Sequence, residues 1–128
     1  MEHTDAQGRD LLMVYMSLVK PCKEAAAEHM IFKPTFEAHR TDKMGNSHLM
    51  YAAINRAPLK VFEMLVACKV DVNKVNDEKQ NVMGQYLHEN TSIDRAVVKC
   101  LLKAGFEVSL LAEEVRALIA EDIQALNN

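Results

Sequence analysis

The stretch that decides the fold is Asp42–Asn73, DKMGNSHLMYAAINRAPLKVFEMLVACKVDVN. It opens on a turn. Asp42 caps its own backbone, and Gly45, three residues on, takes the positive φ that a tight turn requires. Ser47 is placed to cap a first helix with its hydroxyl. Ala52 and Ala53 are small, so a neighbouring helix can approach closely. Pro58 fits the first turn of a second helix, where its missing donor does no harm. Val61, Met64, Leu65 and Cys68 then recur at i, i+3, i+4 and i+7 as one buried stripe. Val70-Asp71-Val72-Asn73 alternates and leads into the next turn, as a hairpin finger would.

The unit recurs on both sides. Asp5, Gly8 and Leu12 stand 37 positions before Asp42, Gly45 and Leu49, and a step of 34 from these reaches Asn76, Lys79 and Met83. The back half repeats on its own spacing. Met30-Ile31, Met64-Leu65 and Cys100-Leu101 are 34 and then 36 apart, as are Phe36-Glu37-Ala38, Val70-Asp71-Val72 and Phe106-Glu107-Val108. Ala27, Val61 and Val97 follow the same steps. Unequal front and back offsets place the length variation between the two helices, in a surface turn where insertions are tolerated.

Within the central copy, Ser47-His48-Leu49-Met50-Tyr51-Ala52 resembles the T-P-L-H-x-A signature of the ankyrin repeat, a unit of about 33 residues. Ser47 stands for Thr, Leu49 and Ala52 are kept, and His48 and Met50 replace Pro and His. The third copy departs from the pattern by carrying Lys79 at the Gly position. The resemblance implies an all-α fold: a short ankyrin-like solenoid of helix-turn-helix repeats with hairpin-like loops. The repeats span about 5–41, 42–75 and 76–108, in one domain over 1–128. It also implies a non-catalytic module that binds a protein partner, as adaptor or inhibitor, through a concave face of finger tips and first helices. Carried onto this chain, the tips are Ala6-Gln7, Lys43-Met44 and Asp77-Glu78. The exposed helix positions are Tyr51, Ile54 and Asn55, then Gln85, His88 and Glu89. Met44, Tyr51 and Ile54 are the expected anchors, because large apolar or amphipathic side chains facing solvent dominate interfaces. Asp77-Glu78 would add a negative rim that steers a basic partner.

The first copy is the least regular. Leu11–Val19, LLMVYMSLV, is apolar almost all round, so part of it must meet a partner surface or the second repeat. Pro21 starts a second helix over Cys22–Ile31, and Pro34 stops it. In the third copy a polar loop, His88-Glu89-Asn90-Thr91-Ser92, precedes the second helix, and Gly105 suits that helix's C-terminus. From residue 109 to 128 the pattern changes. Ser109 is a candidate N-cap, and Leu111, Val115, Leu118, Ile119, Ile123 and Leu126 form a helical stripe. Such a helix caps the last repeat; the alternative is a dimerising helix.

Composition narrows the function classes. The 128 residues suffice for one continuous core; 49% are hydrophobic, 26% charged, and the net charge is −3. That balance, with no basic cluster interleaved with aromatics, argues against nucleic acid or an anionic membrane as partner. Cys22, Cys68 and Cys100 are odd in number and widely spaced, as expected of free thiols in a reducing compartment. The polar, acidic N-terminal decapeptide lacks a secretory pattern and no apolar run reaches membrane-helix length, so an intracellular site, cytoplasmic or nuclear, is expected. No nucleophile elbow, phosphate loop or H-E-x-x-H motif is present. The five histidines (His3, His29, His39, His48 and His88) have no partner at metal-ligand spacing. Glu113-Glu114 and Glu121-Asp122 point apart on a helix, and Lys99 and Lys103 are an i, i+4 surface pair. No catalytic, cofactor or metal residue is therefore expected.

Two readings of function follow: a protein-binding module, or a subunit held in a fixed oligomer by the Leu11–Val19 face or the C-terminal helix. Both require the stripe through Leu65 to be internal. Leu65→Ala is expected to lower stability by roughly 2–5 kcal/mol by opening a cavity. A thermal melt left unchanged by the substitution would place Leu65 outside the core.

Overall fold

A computed structural model of the chain describes residues 4–88 and 93–126. All regular elements among them are helical: α1 (Leu11–Leu18), α2 (Glu24–Ile31), α3 (His48–Asn55), α4 (Leu59–Ala67), α5 (Val82–Leu87), α6 (Arg95–Lys103), a 3-10 turn at Val108–Leu110, α7 (Glu113–Leu118) and α8 (Ala120–Leu126). The fold is all-α. In place of hairpin strands, the described residues contain one isolated antiparallel bridge, between Thr41 and Ser47.

α1 packs on α2 and α3 on α4, and the helices line up in two columns. One column runs α1 on α3 and α3 on α5; the other runs α2 on α4, α4 on α6 and α6 on α8. Ala27, Val61 and Val97 are fully buried at matching places in α2, α4 and α6, and Leu65 is fully buried in α4. These are the positions that the repeat spacing aligned.

The turns before the first helices repeat in atomic detail. Asp5, Asp42 and Asn76 each use one side-chain oxygen to accept two backbone N–H groups, two and four residues ahead, at 2.9–3.0 Å. In each turn the fourth residue (Gly8, Gly45, Lys79) donates its N–H back to the first, at 3.0 Å. All three of these residues lie at positive φ, 78°, 83° and 65°. Two residues further on, Asp10, Ser47 and Asn81 cap α1, α3 and α5 by accepting from Met13, Met50 and Gly84. Neighbouring turns are tied to each other: Lys43 N–H donates to the Gln7 carbonyl and Asp77 N–H to the Met44 carbonyl, each at 2.9 Å.

Several expected boundaries move. Lys23 is the N-cap of α2, so that helix begins at Glu24 and not at Cys22. Pro58 is the N-cap of α4. Ser109 caps nothing; it sits in the 3-10 turn, and Ala112 precedes α7. The single C-terminal helix is two, broken at Ile119, whose φ and ψ of −120° and 21° are not helical. Ile119 is fully buried, and the break lets its side chain reach the core while α8 stays on α6. Arg95 clamps the junction by donating to the Leu118 carbonyl and to Asp122. Of the polar loop expected at His88–Ser92, residues 89–92 lie outside the described residues.

The first two layers share a buried polar link. His48 Nε2 donates to Asp10 Oδ2 at 2.6 Å, both side chains are shielded from solvent, and Phe36 stacks against the imidazole at 4.7 Å. Burial pushes the Asp10 carboxyl up, but the His48 hydrogen bond and charge and the Met13 N–H outweigh it and hold the carboxyl below its ordinary range. Asp42 is held low in the same way: the Tyr51 phenol and the Asn46 and Met44 groups overcome desolvation. A carboxyl lowered by folding contributes stability above its unfolded value, near 3.9, and that stability is lost as pH falls through its folded value. Melts are therefore expected to be flat above about pH 5 and to fall steeply below about pH 4. Asp10→Asn, which keeps a capping oxygen, should be less stable at neutral pH and show a shallower acid decline. An unchanged acid profile would remove Asp10 from the link.

Candidate functional site

Turn tips and the outward side of α3 and α5 form one face. At the second turn the backbone of Lys43 and Met44 is consumed by the ties to neighbouring turns, which leaves both side chains outside; Met44 is 48% exposed. Ile54 is 52% exposed on α3. Tyr51, one turn earlier, is half-buried, and its hydroxyl donates to Asp42 Oδ2 at 2.6 Å. Burial, reinforced by that carboxylate, pushes the phenol far up, so it stays a neutral donor. The ring therefore braces the second turn and offers only part of its surface.

Asn55 is a correction. It was expected beside Ile54 on the exposed side, and it is 1% exposed. Its amide nitrogen donates to the Met16 and Val19 carbonyls, and its oxygen accepts from Cys22 N–H. Tyr51 and Ile54 keep α3's outward stripe, while Asn55, at the edge of it, turns toward the preceding layer and fills the hydrogen bonds of the α1–α2 connector. An unpaired buried amide there would be costly, so the site must be polar.

Asp77 and Glu78 are exposed at the third tip. Gln85 is half-buried and His88 exposed on α5, and these two meet Ile54 around a pocket of about 430 Å³. The structure thus brings Ile54, Gln85 and His88 together. Asp77 and Glu78 are not among the pocket's lining residues.

The pocket arises where the layering loosens. α8 packs on α6, but α7, only six residues long, does not pack on α5 as α5 packs on α3. Leu111, Ala112 and Val115 form the far wall of the gap, and Leu110 is exposed at its edge. Arg56 and Lys79 supply the charge. Arg56 sits at φ 60° just after α3, donates to the Tyr86 carbonyl and lies over the Tyr86 ring at 4.9 Å from its centroid. Among the described residues no three or more His, Cys, Asp or Glu gather as metal ligands. Also among the described residues, no helix is long and apolar enough to cross a membrane.

Arg56, Lys79, Leu110 and Leu111 were missed from the sequence. Arg56 has no glycine or asparagine to advertise its left-handed backbone. Lys79 was visible only as a broken glycine pattern. The wall at residues 110–112 was hidden by reading the segment as one helix. Searched against protein-family models and curated proteins, the chain matches no family model and no curated protein.

Gly8 and Gly45 are required by crowding as well as by φ. A Cβ on Gly8 would lie 3.2 Å from Lys43 N, and one on Gly45 would lie 3.2 Å from Asn76 Cα. The layer after Lys79 supplies the 3-10 turn at Val108–Leu110 in place of another capped turn, and a side chain is accommodated. The left-handed backbone still disfavours lysine. Lys79→Gly is expected to raise stability by roughly 0.5–1 kcal/mol, measured as the shift of the denaturant midpoint at constant slope. A fall in stability would show that the Lys79 side chain contributes to the fold.

Proposed function

We propose that the chain is a non-catalytic protein-interaction module, an adaptor or inhibitor, built as a short ankyrin-like solenoid. It holds a protein partner on the face of turn tips and first helices. The observation that carries this reading is that Met44, at a turn tip, and Ile54, at the wall of a pocket, are each about half exposed. Exposed apolar side chains next to a concavity, rimmed by polar groups, are what interface anchors need. The solenoid reading is supported by the threefold recurrence of the capped turn and the helix cap, by the packed pairs α1–α2 and α3–α4, and by the turn-to-turn hydrogen bonds. The three free cysteines accord with a reducing intracellular setting.

A second reading has its own support. Leu11 and Leu18 are 56% and 78% exposed on α1, which packs against α2 and α3 among the described residues. Those leucines would hold a fixed oligomer, and Leu118 and Leu126 would serve a C-terminal one. Light scattering at low concentration separates the readings, since a clean monomer disfavours the oligomer.

For the module, Met44→Ser with Ile54→Ser is expected to weaken capture of a protein partner from the native cell by about tenfold or more. The melting temperature should stay within a few degrees, because neither side chain is internal. Capture unaffected by the pair would overturn this face as the binding surface. Tyr51 is left intact because its removal would free the Asp42 turn.

A further inference from the structure

We infer that the pocket between α5 and α7 takes a short acidic-apolar peptide segment of the partner, one or two carboxylates set beside a bulky aliphatic or aromatic side chain. The inference rests on the protein-binding reading above and specifies what that partner presents.

Charge is the first argument. The chain has 18 acidic and 15 basic residues, yet among the described residues the charged ones lining the pocket are Arg56 and Lys79, with His88 beside them and no Asp or Glu. The local sign is opposite to the global one. The exposed acids nearest in sequence, Asp77-Glu78 and Glu113-Glu114, flank lining residues without being part of the wall. They restrict the complementary charge to a short stretch and disfavour a long acidic tract. Asp77-Glu78, at the third tip, lie outside this pocket, so their expected steering of a basic partner is a separate matter.

The guanidinium of Arg56 is held in advance. It is fixed by the Tyr86 carbonyl and ring, so little side-chain freedom is lost when an anion arrives. Ile54, Leu110 and Val115 supply apolar surface for an anchor. The volume, about 430 Å³, is that of a side-chain-sized site.

Two further features set this end of the pocket apart. Gln85, which lines the pocket, has its Oε1 buried without a hydrogen-bond partner, while its Nε2 donates to Gln80 Oε1. Lys79, in turn, holds a left-handed backbone that the two equivalent turns assign to glycine. Strain of this kind clusters at functional positions, and Lys79 is one of the residues lining the pocket.

The test is a random-peptide display selection on the wild-type protein and on Lys79→Gly, with Lys79→Gln as a second variant that removes the charge and keeps a side chain. Selected peptides are synthesised, their affinities measured against salt, and their contacts mapped from the amide shifts of Ile54, Gln85 and Leu110. The expected winners carry Asp or Glu within a few residues of Leu, Ile or Phe and shift those amides. They should lose about tenfold in affinity on either variant, and more at high salt on the wild type than on the variants. Winners that are uncharged or basic yet shift the same amides would overturn the acidic assignment and leave the protein-binding face standing. Failure to select any peptide that shifts them would overturn both.

Discussion

No helix among the described residues exceeds nine residues. Helices that short are not stable in water by themselves, because nucleation consumes most of what their few backbone bonds return. Each pair here must bury a flank against the next, and everything else follows from that. The fully buried Ala27, Val61 and Val97 are small or β-branched, so the second helices can approach closely. The capped turns serve the same end from outside: they fix the entry of each first helix, and their backbone ties set the spacing of the layers. Caps, turns and core therefore form one cooperative unit.

Much of this could be read in advance, and the reason is local. A capped turn needs Asp or Asn, then a residue tolerant of positive φ, then a helix cap, at fixed offsets. Asp42-Gly45-Ser47 announces all three, and Asp5-Gly8 the first two; Asp10 was not singled out as a cap. The i, i+3, i+4 stripe of α4 names its buried face. What resisted reading depends on contacts between segments. Asn55 looks like any polar residue on an exposed helix edge; only the open carbonyls of Met16 and Val19 explain its burial. The apolar stripe from Leu111 to Leu126 fits one helix well, and nothing local marks Ile119 as the break. The break coincides with Ile119, which is fully buried while α8 packs on α6. Half of the pocket belongs to that misjudged segment, so Ile54, Gln85 and His88 were nameable while the wall opposite them was not.

The third unit is where regularity yields. Its turn keeps the full hydrogen-bond set with Asn76 in place of Asp and Lys79 in place of Gly. A neutral cap at Asn76 leaves the pocket side without a carboxylate at the point where the other turns have one. The same unit is followed by the loosely seated α7. Relaxed packing, a strained lysine and an unsatisfied amide thus coincide at one end of the stack. Structures commonly depart from their own local rules at the places they use.

Asn55 has a wider consequence. It sits between Ile54 and Arg56, two walls of the pocket, while its amide grips the α1–α2 connector through Met16, Val19 and Cys22. One side chain thus fastens the connector between α1 and α2 to the very end of α3 from which Arg56 turns toward Tyr86.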